Sequence, residues 1–572
     1  MFVHQGDKVI EQMVLMHEEV TTSGLLADPG SDHGEIFTRG WVVEFMLDLV
    51  GYTADLDLGD KVVVEPSCGS GAFLGPIVDR LIESSRRNGR DLRTLTSAVR
   101  AFDLLEDNAI LARKEAALRL AAAGLNDEEA EEIAAQWVTT ADFLLTPHDA
   151  GSIDYVIGNP PYIRLEGVPS SLMAAYRRAC PTMRGRADVY IGFLERGLTL
   201  LKPGGGLSFI CADRWMHNQY GAELRGLISA RYAVETVISM HDVDAFEEEV
   251  SAYPAIVVLR NRPQGAAAVV AADKHFGEPS ALIVTGWIRR GSRPPHRGTG
   301  YDATLVDGWP SGRGLWPGGS PAQRALIANL ESRFPPLEDS LTGTRVGIGV
   351  ATGCDDAYIT RDDQLVEESR LLPLLRAADI ATGKVEWSGT YLVDPWEEDG
   401  LADLRRFPKL ERYLNSQAKS LRSRHVAQRK PAQWYRTIDR VDHQLTGRSK
   451  LVLPDIKASA HPVLDDGGYY PHHNLYYVVS ERWDLEVLGG LLLSDVANLF
   501  VGAYCVKMRG GTYRFQAQYL RRIRVPDPAS LSISVARSLA CAFRDRDMEK
   551  ANALAATVYD LTRTELATLA RA

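Results

Sequence analysis

Strand-like and helix-like segments alternate along residues 33–262, and this alternation constrains the fold more than any other feature of the chain. Short apolar runs such as KVVVEPS (61–67) and IDYVIGN (153–159) suit buried strands, and GAFLGPIVDRLIESSRR (71–87) suits an amphipathic helix. Strands that alternate with helices pair in parallel, because each helix returns the chain across a face of the sheet. Seven such strands predict a doubly wound α/β sheet.

The pattern changes beyond residue 284, which indicates more than one domain. A chain of 572 residues exceeds what one hydrophobic core usually organises. Residues 285–321 are rich in Gly, Pro and Arg and lack periodicity, so they predict a linker. The predicted order is an N-terminal helical extension over 1–30, an α/β domain over 31–284, this linker, and a mixed α+β domain over 322–572.

Composition argues against several classes of protein. The six cysteines are dispersed without a CxxC pair, and no cluster of histidines accompanies them, so we expect neither a zinc site nor a disulfide framework. No uninterrupted apolar run approaches the roughly 18–20 residues that a membrane helix needs. The first residues also lack the basic and apolar parts of a signal peptide. We therefore expect a cytoplasmic protein that binds neither a metal nor a membrane.

Charge is distributed unevenly along the chain. The net charge of −11 argues against a nucleic-acid partner, because Lys and Arg drive binding to phosphates. However, residues 401–450 hold 13 Lys or Arg against 4 Asp or Glu, and residues 505–524 hold six basic side chains and no acid. The C-terminal half is therefore predicted to carry a basic surface.

A glycine-containing loop follows the first strand of the predicted sheet. In EPSCGSGAFL (65–74), Gly69 and Gly71 permit a ligand to approach the backbone at the carboxyl edge of the sheet. A dinucleotide-binding loop would add a third glycine and an acid about 20 residues later. Here the third glycine is missing, and the next strand ends at Asp103, 32 residues beyond Gly71. The pattern argues against NAD but keeps an acid placed to bind ribose hydroxyls.

The next two strands also end in polar and aromatic side chains. Asp142 can accept a hydrogen bond from an adenine amino group, and Phe143 can stack on its ring. The fourth strand ends in NPPY (159–162), which offers an amide, a carbonyl outside any strand ladder and an aromatic face. A planar nitrogen heterocycle suits this tetrapeptide, although a strand ending in a plain turn would show the same prolines.

This set of motifs resembles the class I S-adenosylmethionine-dependent methyltransferases. With NPPY it resembles the N6-adenine DNA methyltransferases of the gamma arrangement, and it is most similar to the TaqI-like and Eco57I-like methylases. The resemblance implies a Rossmann-like seven-stranded sheet, S-adenosylmethionine as cofactor, double-stranded DNA as substrate and a C-terminal target-recognition domain. It implies that the cofactor contacts are Ile36, Thr38, Glu65, Pro66, Ser67, Cys68, Gly69, Gly71, Asp103, Asp142, Phe143, Asn159 and Pro160. The family usually has Thr-Pro where this chain has Thr38-Arg39.

The resemblance also implies a catalytic set. Asn159 and the Pro160 carbonyl would accept the two amino hydrogens of a flipped-out adenine, with Pro161 keeping the loop out of a ladder. Tyr162 would stack on the base, and Phe246 would complete the sandwich, with Tyr253 as the alternative.

The C-terminal half resembles a TaqI-like target-recognition domain in four segments, which span 346–360, 371–380, 450–457 and 510–526. Candidate DNA contacts are Arg429, Lys430, Tyr513, Arg514, Arg521 and Arg522. The implied setting is restriction–modification or phage defence, with a monomeric methylase and a separate endonuclease or defence protein. Two alternatives stay open: methylation of RNA or of protein glutamine, which also uses NPPY, and a catalytically silent DNA-binding subunit.

Overall fold

The computed structural model describes residues 36–164, 167–248, 253–291, 294–508 and 511–570. The chain divides into two compact units, Met1–Trp316 and Pro317–Ala572. The predicted N-terminal extension over 1–30 lies outside the described residues.

The first unit is built on a large, mostly parallel sheet. Its first seven strands are β1 (Val63–Glu65), β2 (Val99–Asp103), β3 (Val138–Thr140), β4 (Ile153–Gly158), β5 (Leu201–Ala212), β6 (Ala233–Ser239) and β7 (Pro254–Arg260). Their order is β3-β2-β1-β4-β5-β7-β6, and β7 is antiparallel to both neighbours. The class I methyltransferase fold predicted from the sequence is therefore confirmed. The strand order reverses between β1 and β4, which is where ligands bind in open α/β sheets.

The sheet has ten strands rather than the seven expected. β8 (Ala267–Ala272) pairs in parallel with β6, and β10 (Tyr301–Val306) pairs antiparallel with both β8 and β9 (His296–Gly298). Part of the segment predicted as a linker therefore extends the sheet, and the division between the units falls at Trp316. The neighbouring Gly, Pro and Arg residues obscured these short strands, whose pairing depends on β8 rather than on local pattern.

Helices cover both faces of this sheet because their apolar residues recur at intervals of three and four. Leu74–Asn88 buries Ile77, Val78 and Leu81, and it ends at Gly89 in the left-handed conformation. Along β4, Val156 and Ile157 contribute to separate apolar clusters on opposite faces. The other helices of the unit are Gly40–Val50, Glu106–Ala122, Asp127–Trp137, Ser170–Ala179, Tyr190–Leu200, Arg214–His217, Ala222–Arg231 and Glu278–Arg289.

The second unit is mixed α+β, as predicted. One sheet has the order β11 (Arg345–Ile348), β21 (Leu475–Val479), β17 (Lys450–Pro454) and β19 (Val463–Asp465). A second has β12 (Ile359–Thr360), β14 (Tyr391–Val393), β13 (Leu371–Leu375) and β20 (Tyr470–Pro471), and a third has β18 (Ile456–Lys457), β23 (Thr512–Arg514) and β22 (Val506–Met508). The remaining strands are β15 (Trp396–Glu397) and β16 (Gly400–Leu401).

The helices of the second unit are Pro321–Arg333, Asp355–Tyr358, Pro408–Ser416, Ala418–Ser423, His425–Arg429, Leu485–Leu492, Asp495–Tyr504, Ala517–Leu520, Ile533–Asp545, Met548–Val558 and Arg563–Leu569. Within the described part of the chain, no single helix has the length and apolar composition to span a membrane. The helices Leu485–Leu492 and Asp495–Tyr504 meet the length and composition criterion only when they are counted together, and they are bent by 63° relative to each other.

Candidate active site

An open cavity lies at the carboxyl ends of β1 to β4. It is lined by eleven of the thirteen predicted cofactor residues, namely Ile36, Thr38, Glu65, Pro66, Ser67, Cys68, Gly69, Asp103, Asp142, Phe143 and Asn159. Gly71 and Pro160 do not line it, whereas Pro161 does. The sequence analysis did not single out Ile163, Val168, Tyr176, Val189 and Phe193, which also line the cavity. They are mostly apolar, and the sequence alone does not distinguish an apolar residue that lines a cavity from one that packs in the hydrophobic core.

The backbone of the glycine loop adopts conformations that residues with a side chain rarely adopt. Gly69 and Gly71 have φ angles of +50° and +106°. A Cβ at Gly69 would meet no atom within 4 Å, so Gly69 leaves open space beside the backbone, while the Gly71 N–H donates to the Cys68 carbonyl over 2.8 Å. Gly69 therefore opens the cavity, and Gly71 shapes the turn.

Asp103 fastens this loop to the end of β2. Its carboxylate accepts hydrogen bonds from the Gly69 N–H at 2.8 Å, the Leu105 N–H at 2.9 Å and the Asn108 side chain at 3.3 Å. The acid that the sequence assigned to ribose therefore also holds the glycine loop in place.

Glu65 is a buried acid at the end of β1 without a hydrogen-bond partner. Its side chain is 1% exposed, and neither carboxylate oxygen accepts a hydrogen bond within the described residues. Burial raises the pKa of Glu65 well above its ordinary value, and the charge of Asp103 adds to the shift. A buried polar group of this kind is costly unless a ligand completes it.

Asp142 and Phe143 line the cavity, and both side chains also contact other residues of the protein. Asp142 accepts a hydrogen bond from the Tyr176 hydroxyl at 2.7 Å and one from the Leu144 N–H at 2.9 Å. The Phe143 ring stacks on Phe193 with centroids 5.5 Å apart and planes 24° apart. These contacts within the protein fix the orientation of both side chains.

Asn159 presents an unused acceptor. Its Nδ2 donates to the Ile36 carbonyl at 3.0 Å and to the Thr38 hydroxyl at 3.2 Å, and these acceptors fix the orientation of the amide. Its Oδ1 is buried and has no hydrogen-bond partner among the described residues. The Ser67 hydroxyl donates to the Asn159 backbone carbonyl at 3.1 Å and joins the glycine loop to the NPPY loop. The geometry therefore leaves one buried oxygen free to accept a hydrogen bond from a ligand.

The segments that carry Thr38 and Phe246 pair with each other. Thr38 and Phe246 form an antiparallel bridge, and the Arg39 N–H donates to the Ala245 carbonyl at 3.0 Å. The Arg39 side chain also forms an ion pair with Asp244 at 2.8 Å. Proline, the family's usual residue here, has no N–H to make the backbone bond. Because this chain has Arg39 at this position, a backbone hydrogen bond and an ion pair join the segment to the loop that carries Phe246.

Tyr162 and Phe246 are neighbours but are not parallel. Their ring centroids are 6.5 Å apart and the planes are 88° apart, so the contact is edge to face. Tyr253, the alternative to Phe246, instead packs on His241 with centroids 5.0 Å apart. The structure thus brings Phe246 into contact with Tyr162.

The predicted DNA contacts in the second unit fall into two groups. Arg429 and Lys430 are exposed and form no ion pair with another described residue, while Tyr513 and Arg514 lie on β23, with Arg514 3.4 Å from Asp455. Arg521 and Arg522 form ion pairs with acids of the same unit, Glu338 at 3.0 Å and Glu331 at 3.1 Å. Arg522 also covers the Tyr504 ring at 4.3 Å. Internal partners therefore balance the charges of Arg521 and Arg522.

Two protein families match the chain in separate regions. The Eco57I restriction-modification methylase family matches residues 91–246, and the TaqI-like C-terminal specificity domain matches residues 372–525. The first match includes the ends of β2, β3 and β4, and the second lies within the unit that carries the basic segments.

Curated relatives match along almost the whole chain. The Type II methyltransferase M.PaeR7I of Pseudomonas aeruginosa is 43% identical over 554 residues, which cover 96% of this chain and 95% of that protein. The Type II methyltransferase M.XhoI of Xanthomonas vasicola is 41% identical and covers 93% of this chain and 98% of its own length.

Solved structures share the fold at low sequence identity. The Type IIL restriction-modification enzyme MmeI in complex with DNA has a TM-score of 0.57 at 12% identity, covering 98% of this chain and 75% of its own. The DrdV–DNA complex has a TM-score of 0.52 at 11% identity, covering 95% and 60%.

Proposed function

Because the chain belongs to the Type II methyltransferases of restriction–modification systems, we propose that it transfers a methyl group from S-adenosylmethionine to the N6 amine of an adenine flipped out of duplex DNA. The observation that carries this proposal is the buried Asn159 Oδ1, which lacks a hydrogen-bond partner among the described residues and belongs to a residue that lines the cavity. An amine that donates a hydrogen bond to this oxygen satisfies an atom that the protein leaves unpaired.

The residues of the cavity fit S-adenosylmethionine. The unpartnered carboxylate of Glu65 suits the ammonium group of the methionine part, and Asp103 suits the ribose hydroxyls. Asp142 and Phe143 are placed for the adenine amino group and ring, and Gly69 leaves open space beside the backbone. When bound, the cofactor supplies a methyl group on a positively charged sulfur.

The NPPY loop holds and activates the target amine. The exocyclic nitrogen of adenine is a poor nucleophile because its lone pair is delocalised into the ring. Asn159 Oδ1 and the Pro160 carbonyl accept hydrogen bonds from its two N–H groups, which localises the lone pair and directs it towards the methyl group. This is catalysis by positioning and electrostatics, and it needs no separate base before transfer, because the amine loses its proton once it is cationic.

Tyr162 and Phe246 hold the flipped base. Their planes are 88° apart, so stacking of both rings on one base requires one ring to rotate. The second unit supplies the phosphate contacts, chiefly from Arg429 and Lys430, because Asp455 balances Arg514 as other acids balance Arg521 and Arg522. Tyr513 lies beside Arg514 on the same strand. The protein acts in the cytoplasm as a monomer, alongside a separate endonuclease or defence protein.

The acceptor is tested by incubating the full chain and labelled cofactor with duplex DNA, structured RNA or a glutamine peptide. The expected product is N6-methyladenine in DNA, identified by nucleoside analysis after hydrolysis. N4-methylcytosine, or label in the RNA or peptide alone, would contradict the proposal. Cofactor binding without transfer to any acceptor would favour the silent DNA-binding alternative.

Cofactor binding is expected to strengthen as pH rises, because the pKa of Glu65 is raised and only its ionised form attracts a cation. As pH rises towards the pKa of Glu65, the dissociation constant of the cofactor is expected to fall by up to about tenfold per pH unit. Above that pKa the dissociation constant levels off. Calorimetry between about pH 5.5 and 7.5, below the usual range of an α-amine, measures this. Glu65→Gln is expected to bind more weakly and without the slope, and an unchanged slope in this variant would refute the assignment.

Lys430→Ala is expected to weaken DNA binding uniformly across sequences and to lower the slope of log affinity against log salt by about 1. Arg521→Ala is the matched control, because Glu338 already balances that charge. Fluorescence anisotropy over a series of salt concentrations measures both slopes. Equal slopes for Lys430→Ala and the unmodified protein would remove Lys430 from the phosphate contacts.

A further inference from the structure

Three metal-binding side chains meet in the second unit, where the proposed function assigns no role. Asp355 begins the short helix Asp355–Tyr358, and His472 and His473 lie between β20 and β21. Each offers one ligand atom, and these atoms lie within 4.8 Å of one another. The His472 Nε2 is 3.3 Å from the Asp355 Oδ2. Donors around a tetrahedral zinc ion are separated by roughly 3.4 Å, so small side-chain rotations bring all three onto one ion.

His472 is the innermost of the three side chains. It is 3% exposed, and its Nε2 faces the Asp355 carboxylate. An imidazole and a carboxylate that already face each other at this distance need little rearrangement to bind one metal ion between them.

The backbone around these ligands is fixed by hydrogen bonds. The His473 N–H donates to the Val350 carbonyl at 3.0 Å, and the His472 N–H donates to the Leu375 carbonyl at 2.9 Å. The Thr352 hydroxyl donates to the Asp355 Oδ1 at 2.5 Å, and this bond orients the carboxylate as outer partners do in metal sites. His473 and Asp355 are exposed, with the Asp355 side chain 43% accessible, so an ion can enter from solvent.

We propose that Asp355, His472 and His473 bind one divalent transition-metal ion of the zinc class. Two imidazoles and one carboxylate match the donors that zinc prefers, whereas Mg²⁺ and Ca²⁺ select oxygen donors. Three protein ligands leave one position for water. The ion would join the loop at 350–355 to the segment at 471–475. The sequence analysis expected no metal, because the third ligand lies 117 residues before His472 and matches no spacing motif.

Metal content tests this proposal. The full chain, without an affinity tag, is stripped with a chelator, equilibrated with Zn²⁺ or Mg²⁺ and passed over a desalting column before elemental analysis. We expect one zinc and no magnesium per chain. His473→Ala and Asp355→Asn are expected to lower zinc affinity at least about 100-fold, because each removes one of three ligands. His275→Ala, which removes an exposed histidine of the first unit, is the control and is expected to bind as the unmodified protein does.

Thermal unfolding provides a second readout. Zinc is expected to raise the Tm of the unmodified protein and of His275→Ala, and a chelator is expected to reverse the rise. His473→Ala, which changes an exposed side chain, is expected to fold and to show no rise at the same zinc concentration. Equal zinc uptake by His473→Ala and the unmodified protein, or no uptake by either, would overturn the proposal.

Discussion

Replacing Asn159 by alanine is expected to lower the rate of methyl transfer by about 10³-fold or more, while the dissociation constant of the cofactor changes by less than about fivefold. The reason is that the target amine loses Oδ1 as a hydrogen-bond acceptor. Among the polar side-chain atoms of Asn159, Oδ1 is the one without a hydrogen-bond partner in the described structure. Single-turnover transfer to duplex DNA measures the rate, and calorimetry measures cofactor binding.

The alanine also removes the amide hydrogen bonds to Ile36 and Thr38, so a control must separate anchoring from catalysis. Thr38→Val removes one acceptor of the Asn159 Nδ2 and leaves both Oδ1 and the Ile36 carbonyl in place. It is expected to reduce transfer by less than about tenfold, in line with one neutral hydrogen bond. Transfer by Asn159→Ala at the rate of Thr38→Val would contradict the assignment of Asn159.

Replacing Asp103 by alanine is expected to weaken cofactor binding by about 100-fold or more. The substitution removes the proposed acceptor for the ribose hydroxyls and the hydrogen bond to the Gly69 N–H, and hydrogen bonds to a charged group contribute about 1.5–3 kcal/mol each. Equilibrium binding of the cofactor measures the loss.

Two variants control for this result. Asp103→Asn keeps an acceptor for the loop and loses the charge, so an intermediate loss is expected. Asp107→Ala removes an exposed acid from the start of the helix Glu106–Ala122 and is expected to bind within about twofold of the unmodified protein. An Asp103→Ala variant with a normal Tm and normal affinity would show that the glycine loop needs no such fastening.

Much of this site follows from sequence because residues at the carboxyl ends of parallel strands share one edge of the sheet. Glu65, Asp103, Asp142 and Asn159 each end or closely follow a strand, so their convergence needs only the strand order. The fold class was predicted from the alternation of elements and from the family resemblance, and it was confirmed, while the structure supplies the strand order itself.

Contacts between distant segments could not be predicted in this way. The pairing of Thr38 with Phe246 joins segments more than 200 residues apart, and neither segment has a pattern that requires it. The Tyr176 hydroxyl reaches Asp142 from a helix whose sequence is typical of ordinary core.

Basic residues show a further limit of sequence analysis. Arg521 and Arg522 contribute to a basic segment, yet Glu338 and Glu331, which lie far away in the chain, balance them. A count of charges along the sequence contains no information about such partners. The approach of the buried His472 to Asp355 is likewise a property of the folded unit alone.

The central claim is adenine methylation at a specific DNA sequence that depends on Asn159. Single-molecule sequencing of DNA from a methylation-free host that expresses either this chain or its Asn159→Ala variant tests that claim most directly. The account predicts N6-methyladenine at one short motif with the unmodified chain and none with the variant. Unmodified adenines with the active chain, or methylation that persists in the variant, would contradict it.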